Sequence, residues 1–256
     1  MEQKVEIIRD GLTLRGRIFK PEVKKCPVVI MFHGLLGSSS DDVDNHQFYE
    51  ITNELLKHNI ASIKFDFNGH GISDGKFSDM TILGELLDAA KIIEYTKSLD
   101  FTEDIYLLGH SMGGVVAGMM AGYYTDIVKK LVMLAPAATM VDDANRGSCF
   151  GTAFDPVNVP DYIIPWENDN NSKAWGFMFR VNKTLPVYET TKLFRGKTLI
   201  IHGTNDDAVG VIGAKRYREH MPQNTEVVLI ENEIHSLDAF AFDEVRERVV
   251  TFLAED

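Results

Sequence analysis

The chain has 256 residues, 45% of them hydrophobic and 25% charged, enough for one sizeable core in an ordinary globular α/β protein. A net charge of −12 and a pI of about 5.1 argue against nucleic acid and anionic membranes as partners, and mildly against anionic substrates. Cys26 and Cys149 lie far apart and form no ligand cluster with histidines, so no metal and no cofactor is expected. The first ten residues lack the apolar core of a signal peptide, and no apolar run approaches a membrane span, so the expectation is a cytoplasmic protein with reduced thiols.

Taken in order, residues 2–9 and 12–19 alternate apolar and polar around Asp10-Gly11 and predict an antiparallel hairpin. Pro27 to Phe32 is a continuous apolar run, as expected of a strand buried on both faces. It ends in His33-Gly34-Leu35-Leu36-Gly37 and a polar loop from Ser38 to Asp44. A helix is expected over 46–58, a strand from Ile60 to Phe67, and a long helix over 81–98 with Thr81 or Asp79 as its cap. Ile105 to Leu108 reads as a strand, followed by Gly109-His110-Ser111-Met112-Gly113 and a small-residue apolar helix. A strand from Lys130 to Ala135 stops at Pro136.

From 137 to 194 this rhythm breaks. The segment carries Pro156, Pro160, Pro165 and Pro186, both tryptophans (Trp166 and Trp175), and many other aromatics including Phe150, Phe154 and Phe179. A structureless loop of that length is improbable in a single domain, so the reading is an inserted lid. The sheet resumes with Lys197 to Ile201, then a helix near 210–221, a strand from Glu226 to Ile230, and a last helix over 238–254. Strands alternating with helices predict a mostly parallel sheet covered on both faces.

Residues 109–113 form a G-x-S-x-G motif in its required context, a sharp turn from strand to helix that lifts Ser111 out of the backbone. A serine hydroxyl needs a base, and the base an orienting carboxylate. Of eight histidines, His235 lies beyond the last predicted strand, at the sheet edge where ligands bind. Asp206 lies beyond the preceding strand at the same edge, and the order Ser111, Asp206, His235 is the one this motif calls for. Asp207 is a neighbouring candidate acid, and Asp238 is read as the cap of the last helix. His70 and His202 are assigned to local turn hydrogen bonds. Backbone N–H groups of Met112 and Leu35 are the expected oxyanion donors.

These residues resemble those of the α/β-hydrolase fold serine hydrolases. The matching pieces are H-G-L-L-G at 33–37, D-F-N-G-H-G-I-S at 66–73, G-H-S-M-G-G at 109–114, H-G-T-N-D at 202–206 and His235. The resemblance puts the acid on Asp206 rather than Asp207. Within the family the chain is most similar to bacterial cinnamoyl (feruloyl) esterases, through D-G-K-F-S-D-M-T at 74–81, L-A-P-A-A-T at 134–139, F-D-P-V-N-V-P-D at 154–161 and L-P-V-Y-E at 185–189. This implies an ester hydrolase whose lid holds an aromatic acyl group, with Asp143 at the position of a lid acid that contacts ring hydroxyls. Phe150 and Met178 depart from the pattern, standing where related esterases carry polar ring contacts, and Met112 replaces a common glutamine. The expected partner is a small-molecule ester, and a homodimer is compatible with the sequence. A monoacylglycerol-type lipase or short-chain carboxylesterase is the alternative enzyme, and a non-catalytic binding module the alternative from another class.

Overall fold

The computed structural model describes residues 1–38, 46–149, 152–163, 173–221 and 223–255. Strands β1 (Glu2–Arg9) and β2 (Leu12–Phe19) pair antiparallel, turning through Asp10 and Gly11, both at positive φ. That conformation is the one whose twist matches a two-residue hairpin. β3 (Cys26–Phe32), α1 (His46–Lys57) and β4 (Ala61–Phe65) follow, then a single 3-10 turn at Phe77–Asp79 and α2 (Ile82–Ser98). The Thr81 hydroxyl caps α2 by accepting the Gly84 N–H at 3.0 Å; Asp79 belongs to the 3-10 turn instead. β5 (Thr102–His110) leads into α3 (Met112–Tyr123), and β6 (Val128–Leu134) ends the first half of the sheet.

Strand order in the eight-stranded sheet is β1-β2-β4-β3-β5-β6-β11-β12, where β11 is Lys197–Gly203 and β12 is Thr225–Ile230. Only the pairings of β1 with β2 and of β2 with β4 are antiparallel. The side-chain period of two sends alternate residues of β3 to opposite faces. Val28, Ile30 and Phe32 join the core under α2 and α3, while Val29 and Met31 join the core under α1 and the C-terminal helix. α1 seals its face with Phe48, Ile51 and Leu55, spaced for one helical stripe and each fully buried. Burying such a side chain contributes about 1.5–3 kcal/mol.

The connection from β6 to β11 spans the expected lid. It contains α4 (Met140–Arg146), the short pair β7 (Ser148–Cys149) and β8 (Thr152–Ala153), the pair β9 (Tyr162–Ile163) and β10 (Ala174–Trp175), α5 (Gly176–Asn182) and α6 (Val187–Thr191). Phe150 and Trp166, singled out in the sequence, lie outside the described residues, as does most of the Ser38–Asp44 loop. The chain ends with α7 (Ile212–His220), β12 and α8 (Phe242–Ala254). α8 begins later than its sequence predicts. Asp238 does not cap it: the flanking residue is Ala241, with no side-chain cap, and the Asp238 carboxylate instead accepts the Ser236 hydroxyl. The reason is Glu233, whose buried carboxylate takes the N–H groups of Ala239, Phe240 and Ala241 and satisfies the helix approach from outside. No helix among the described residues is long and apolar enough to cross a membrane.

The winding order of the parallel strands reverses at β3, since β4 lies on one side of it and β5 on the other. A crevice opens at the carboxyl ends of the strands at such a switch point. Phe32 at the end of β3 pairs in register with Gly109, which brings the 33–37 loop beside the turn that carries Ser111.

Candidate active site

Ser111 sits at φ 55°, ψ −120°, a conformation that holds about 1–3 kcal/mol of strain in a non-glycine residue. The surroundings impose it. The Ser111 N–H bonds the Leu134 carbonyl at 2.9 Å, and its own carbonyl accepts from Gly114, Val115 and Ala137. The flanking glycines are needed for space: a Cβ on Gly109 would lie 2.0 Å from the Gly113 oxygen, and one on Gly113 would lie 2.2 Å from the Phe32 oxygen. The turn therefore closes only if both positions lack a side chain.

Three elements distant in sequence meet at this turn. His235 Nε2 lies 2.9 Å from Ser111 Oγ, and His235 Nδ1 lies 2.8 Å from Asp206 Oδ2. A carboxylate beside Nδ1 fixes the proton there and leaves Nε2 free to accept from the hydroxyl. Asp206, the acid of the loop after β11, divides its two oxygens. Oδ1 accepts the Ala208 and Val209 N–H groups in an Asx turn, and Oδ2 faces His235. Burial pulls the Asp206 carboxyl upward, but hydrogen bonds from His202 and His235, the field of His235 and the Val209 N–H outweigh it and hold the group well below the usual carboxylate range. Asp207 is exposed and makes no contact with His235 among the described residues.

Two supports were not legible in the sequence. Fully buried His202, assigned to a turn, sends Nε2 to Asp206 Oδ2 at 3.0 Å as well as to the Val209 carbonyl at 3.2 Å. Glu233, two residues before His235, braces the loop beyond it. Burial favours its neutral form, yet the backbone N–H groups it accepts keep its carboxyl below the ordinary value. A buried glutamate in a polar loop has no periodicity to betray it. His110 also contributes, donating Nε2–H to the His235 carbonyl at 3.0 Å. Burial and the nearby His235 ring push its own pKa down to about 4, so it stays neutral there.

Met112 opens α3, and Leu35 lies in the turn closed by the Gly37 N–H on the Gly34 carbonyl. Both line the cavity beside Ser111, and neither N–H meets an acceptor among the described residues. Fully buried His33 sets the direction of the Leu35 peptide. Its Nε2 accepts the Phe67 N–H at 3.0 Å, so Nδ1 carries the proton and donates to the Gly34 carbonyl at 2.8 Å. That carbonyl is thus turned away, and burial, which lowers the His33 pKa, keeps the ring in this neutral form. The N-terminal end of α3 adds a favourable dipole for an anion formed at Ser111.

A cavity extends from Ser111 beneath the connection between β6 and β11. Its wall is mostly apolar, with Met140, Met178, Phe179 and Val209, and Met178 and Phe179 are both buried. Phe154 packs on Phe179 at 5.2 Å between ring centroids, and both join the core cluster under α2 and α3, while Phe179 also faces the cavity. Asp143 reaches the cavity from α4. Burial raises its carboxyl, against a hydrogen bond from Thr139. Its neighbour Asp142 is held by Arg216 of α7, which pins α4 to the body of the protein. Asn182, at the end of α5, was not singled out in the sequence. It lines the same cavity at 3% exposure, and its side-chain oxygen has no hydrogen-bond partner.

Residues 24–157 match the family model described as serine aminopeptidase, S33. The solved structure of Est1E from Butyrivibrio proteoclasticus with ferulic acid bound is similar over 97% of this chain and 97% of that one, at 32% identity and a TM-score of 0.90. The monoglyceride lipase homolog of Monkeypox virus is 25% identical over 91% of this chain and 90% of its own length. Monoacylglycerol lipase ABHD6 of Rattus norvegicus is 30% identical over 47% of this chain, a match that spans 33% of that protein.

Proposed function

The chain belongs to the serine aminopeptidase S33 family of α/β-hydrolase fold serine hydrolases, and from that membership we propose that it cleaves carboxylic esters through an acyl-enzyme, with hydroxycinnamate esters preferred. Ser111 is the nucleophile. As its oxygen attacks the ester carbonyl, His235 Nε2 takes the proton across the 2.9 Å contact. Asp206 holds the imidazole in the required tautomer and stabilises the cation that forms. Negative charge develops on the carbonyl oxygen, where the N–H groups of Leu35 and Met112 receive it; one such donor is worth about 3–4 kcal/mol of barrier. Water then attacks the acyl-serine with His235 as base, releasing the acid.

The observation that carries the acyl preference is the cavity under the lid: a mostly apolar slot beside Ser111 into which the polar side chains of Asp143 and Asn182 are set, with Thr139 and Ser148 also on its wall. An unsubstituted alkyl chain has no use for them, whereas a phenolic ring offers a hydroxyl that meets both requirements. Similarity to Est1E with ferulic acid bound supports the same reading. A monoacylglycerol lipase is the second reading, supported by the Monkeypox virus and Rattus norvegicus relatives and by the methionines of the cavity wall, which adapt to a flexible chain.

Methyl ferulate, methyl p-coumarate, butyrate and long-chain monoacylglycerol esters, assayed with the wild type and Ser111→Ala, test the proposal. The expected result is highest kcat/KM on the hydroxycinnamates and a loss of at least about 10⁴-fold in the variant. Preference for the long-chain esters would favour the lipase, and unchanged activity in Ser111→Ala would remove Ser111 from the chemistry.

A further inference from the structure

A second depression meets the first at Ser111, and it differs in character. It is an open cleft on the far side of the serine from the lid cavity, with Leu35 and Ser111 common to both. Its walls carry His46, Gln47, His110, His235, Ser236 and Asp238. Two features give it a role. First, His235 lines this cleft and not the lid cavity, while Met112 lines the lid cavity and not this cleft. When the tetrahedral intermediate collapses, the bond between the carbonyl carbon and the alcohol oxygen breaks. The proton that His235 Nε2 took from Ser111 passes to that oxygen, which leaves as the neutral alcohol. The alcohol must therefore lie on the His235 side, and the acyl group on the other. Second, the cleft is rich in hydrogen-bonding side chains but contains no lysine or arginine among its described residues. Its exposed charge is the Asp238 carboxylate, with the Glu233 and Asp206 carboxylates buried just behind the His235 loop.

We infer that this cleft is the leaving-alcohol subsite and that it selects uncharged, hydroxyl-bearing alcohols over anionic ones, with Asp238 as the discriminating charge. Hydroxyl groups on the alcohol find partners on His46 at the start of α1 and on Asp238. A carboxylate or phosphate on the alcohol meets the Asp238 carboxylate and no lysine or arginine among the described residues. The inference rests on the esterase reading above but not on its acyl preference, because it concerns the other half of the substrate. It also explains what Asp238 does in place of capping α8.

Matched esters of one acid test it. Esters of ferulic acid with glycolamide and with glycolic acid have nearly the same shape and differ in one charge. For the native protein at low salt, kcat/KM is expected to favour the glycolamide ester by about five- to tenfold, with the ratio shrinking in high salt as the exposed carboxylate is screened. Asp238→Asn is expected to reduce that ratio at least about threefold and to flatten its salt dependence. The glyceryl ester is expected to exceed the methyl ester in kcat/KM, and His46→Ala to narrow that gap. A glycolamide-to-glycolate ratio near one in the native protein, or a ratio unmoved by Asp238→Asn, overturns the inference. The same pair built on butyric acid separates the two claims. If only butyrates turn over, the acyl preference fails and the alcohol ratio is still read; if no ester turns over, both fail.

Discussion

Replacing His70 with phenylalanine should change how the stability of this protein depends on pH. His70 is 5% exposed, its ring packed against Phe77 at 5.3 Å and His33 at 4.9 Å. Its Nδ1–H donates to the Asn68 carbonyl, and its Nε2 is buried without a partner. Burial, with a further push from His33, lowers its pKa from 6.5 to about 3. At pH 7 the imidazole is neutral in both folded and unfolded chains and contributes no pH dependence. Below pH 6.5 the unfolded chain takes up a proton that the folded one refuses until about pH 3, so stability falls by about 1.4 kcal/mol per pH unit across that window. Two pH units below 6.5, at pH 4.5, this single residue costs the native protein about 3 kcal/mol. The His70→Phe variant loses about 1 kcal/mol at pH 7 with the Asn68 hydrogen bond, yet should lose about 3 kcal/mol less than the native protein between pH 7 and 4.5. Carboxylates titrate alike in both proteins, so the difference isolates His70. Urea unfolding followed by circular dichroism at the two pH values measures it. Equal losses in the two proteins would refute the argument that burial keeps this ring neutral.

Two further substitutions probe the site. Asn182→Leu should stabilise the fold by about 1 kcal/mol, since it removes a buried oxygen without a partner. The same change should lower kcat/KM for methyl p-coumarate about five- to tenfold relative to methyl cinnamate, which lacks the ring hydroxyl; a variant that gains stability and keeps the ratio would show that Asn182 does not touch the ring. Gly109→Ala places a methyl 2.0 Å from the Gly113 oxygen and should cost about 3 kcal/mol or more. Thermal unfolding and labelling of Ser111 by a fluorophosphonate probe should fall together, and a fully labelled, fully stable variant would contradict the geometry of the turn.

Most of the architecture is a local property of the chain. The apolar runs ending at Phe32, Leu108 and Leu134 each define a strand buried on both faces, and their alternation with helical stripes leaves a parallel, doubly covered sheet as the consistent solution. The elbow is equally local, because the strain at Ser111 and the absence of side chains at Gly109 and Gly113 are properties of five consecutive residues. Boundaries were less secure where a distant group intervened. α8 starts at Phe242 rather than near Asp238 because Glu233 holds the intervening backbone, a contact no window around Asp238 contains.

The amino-acid sequence alone thus determined the sheet, the turn bearing Ser111, and the chain order in which a serine, an acid and a histidine reach one edge. Only the tertiary structure decided that His202 lies against the same Asp206 carboxylate oxygen as His235, that Asn182 ends in the lid cavity, and that Asp238 borders a separate cleft. The physical reason is range. Backbone conformation and burial pattern follow from residues a few positions apart, whereas a side chain's chemistry depends on what the fold brings against it, here across 124 residues between Ser111 and His235.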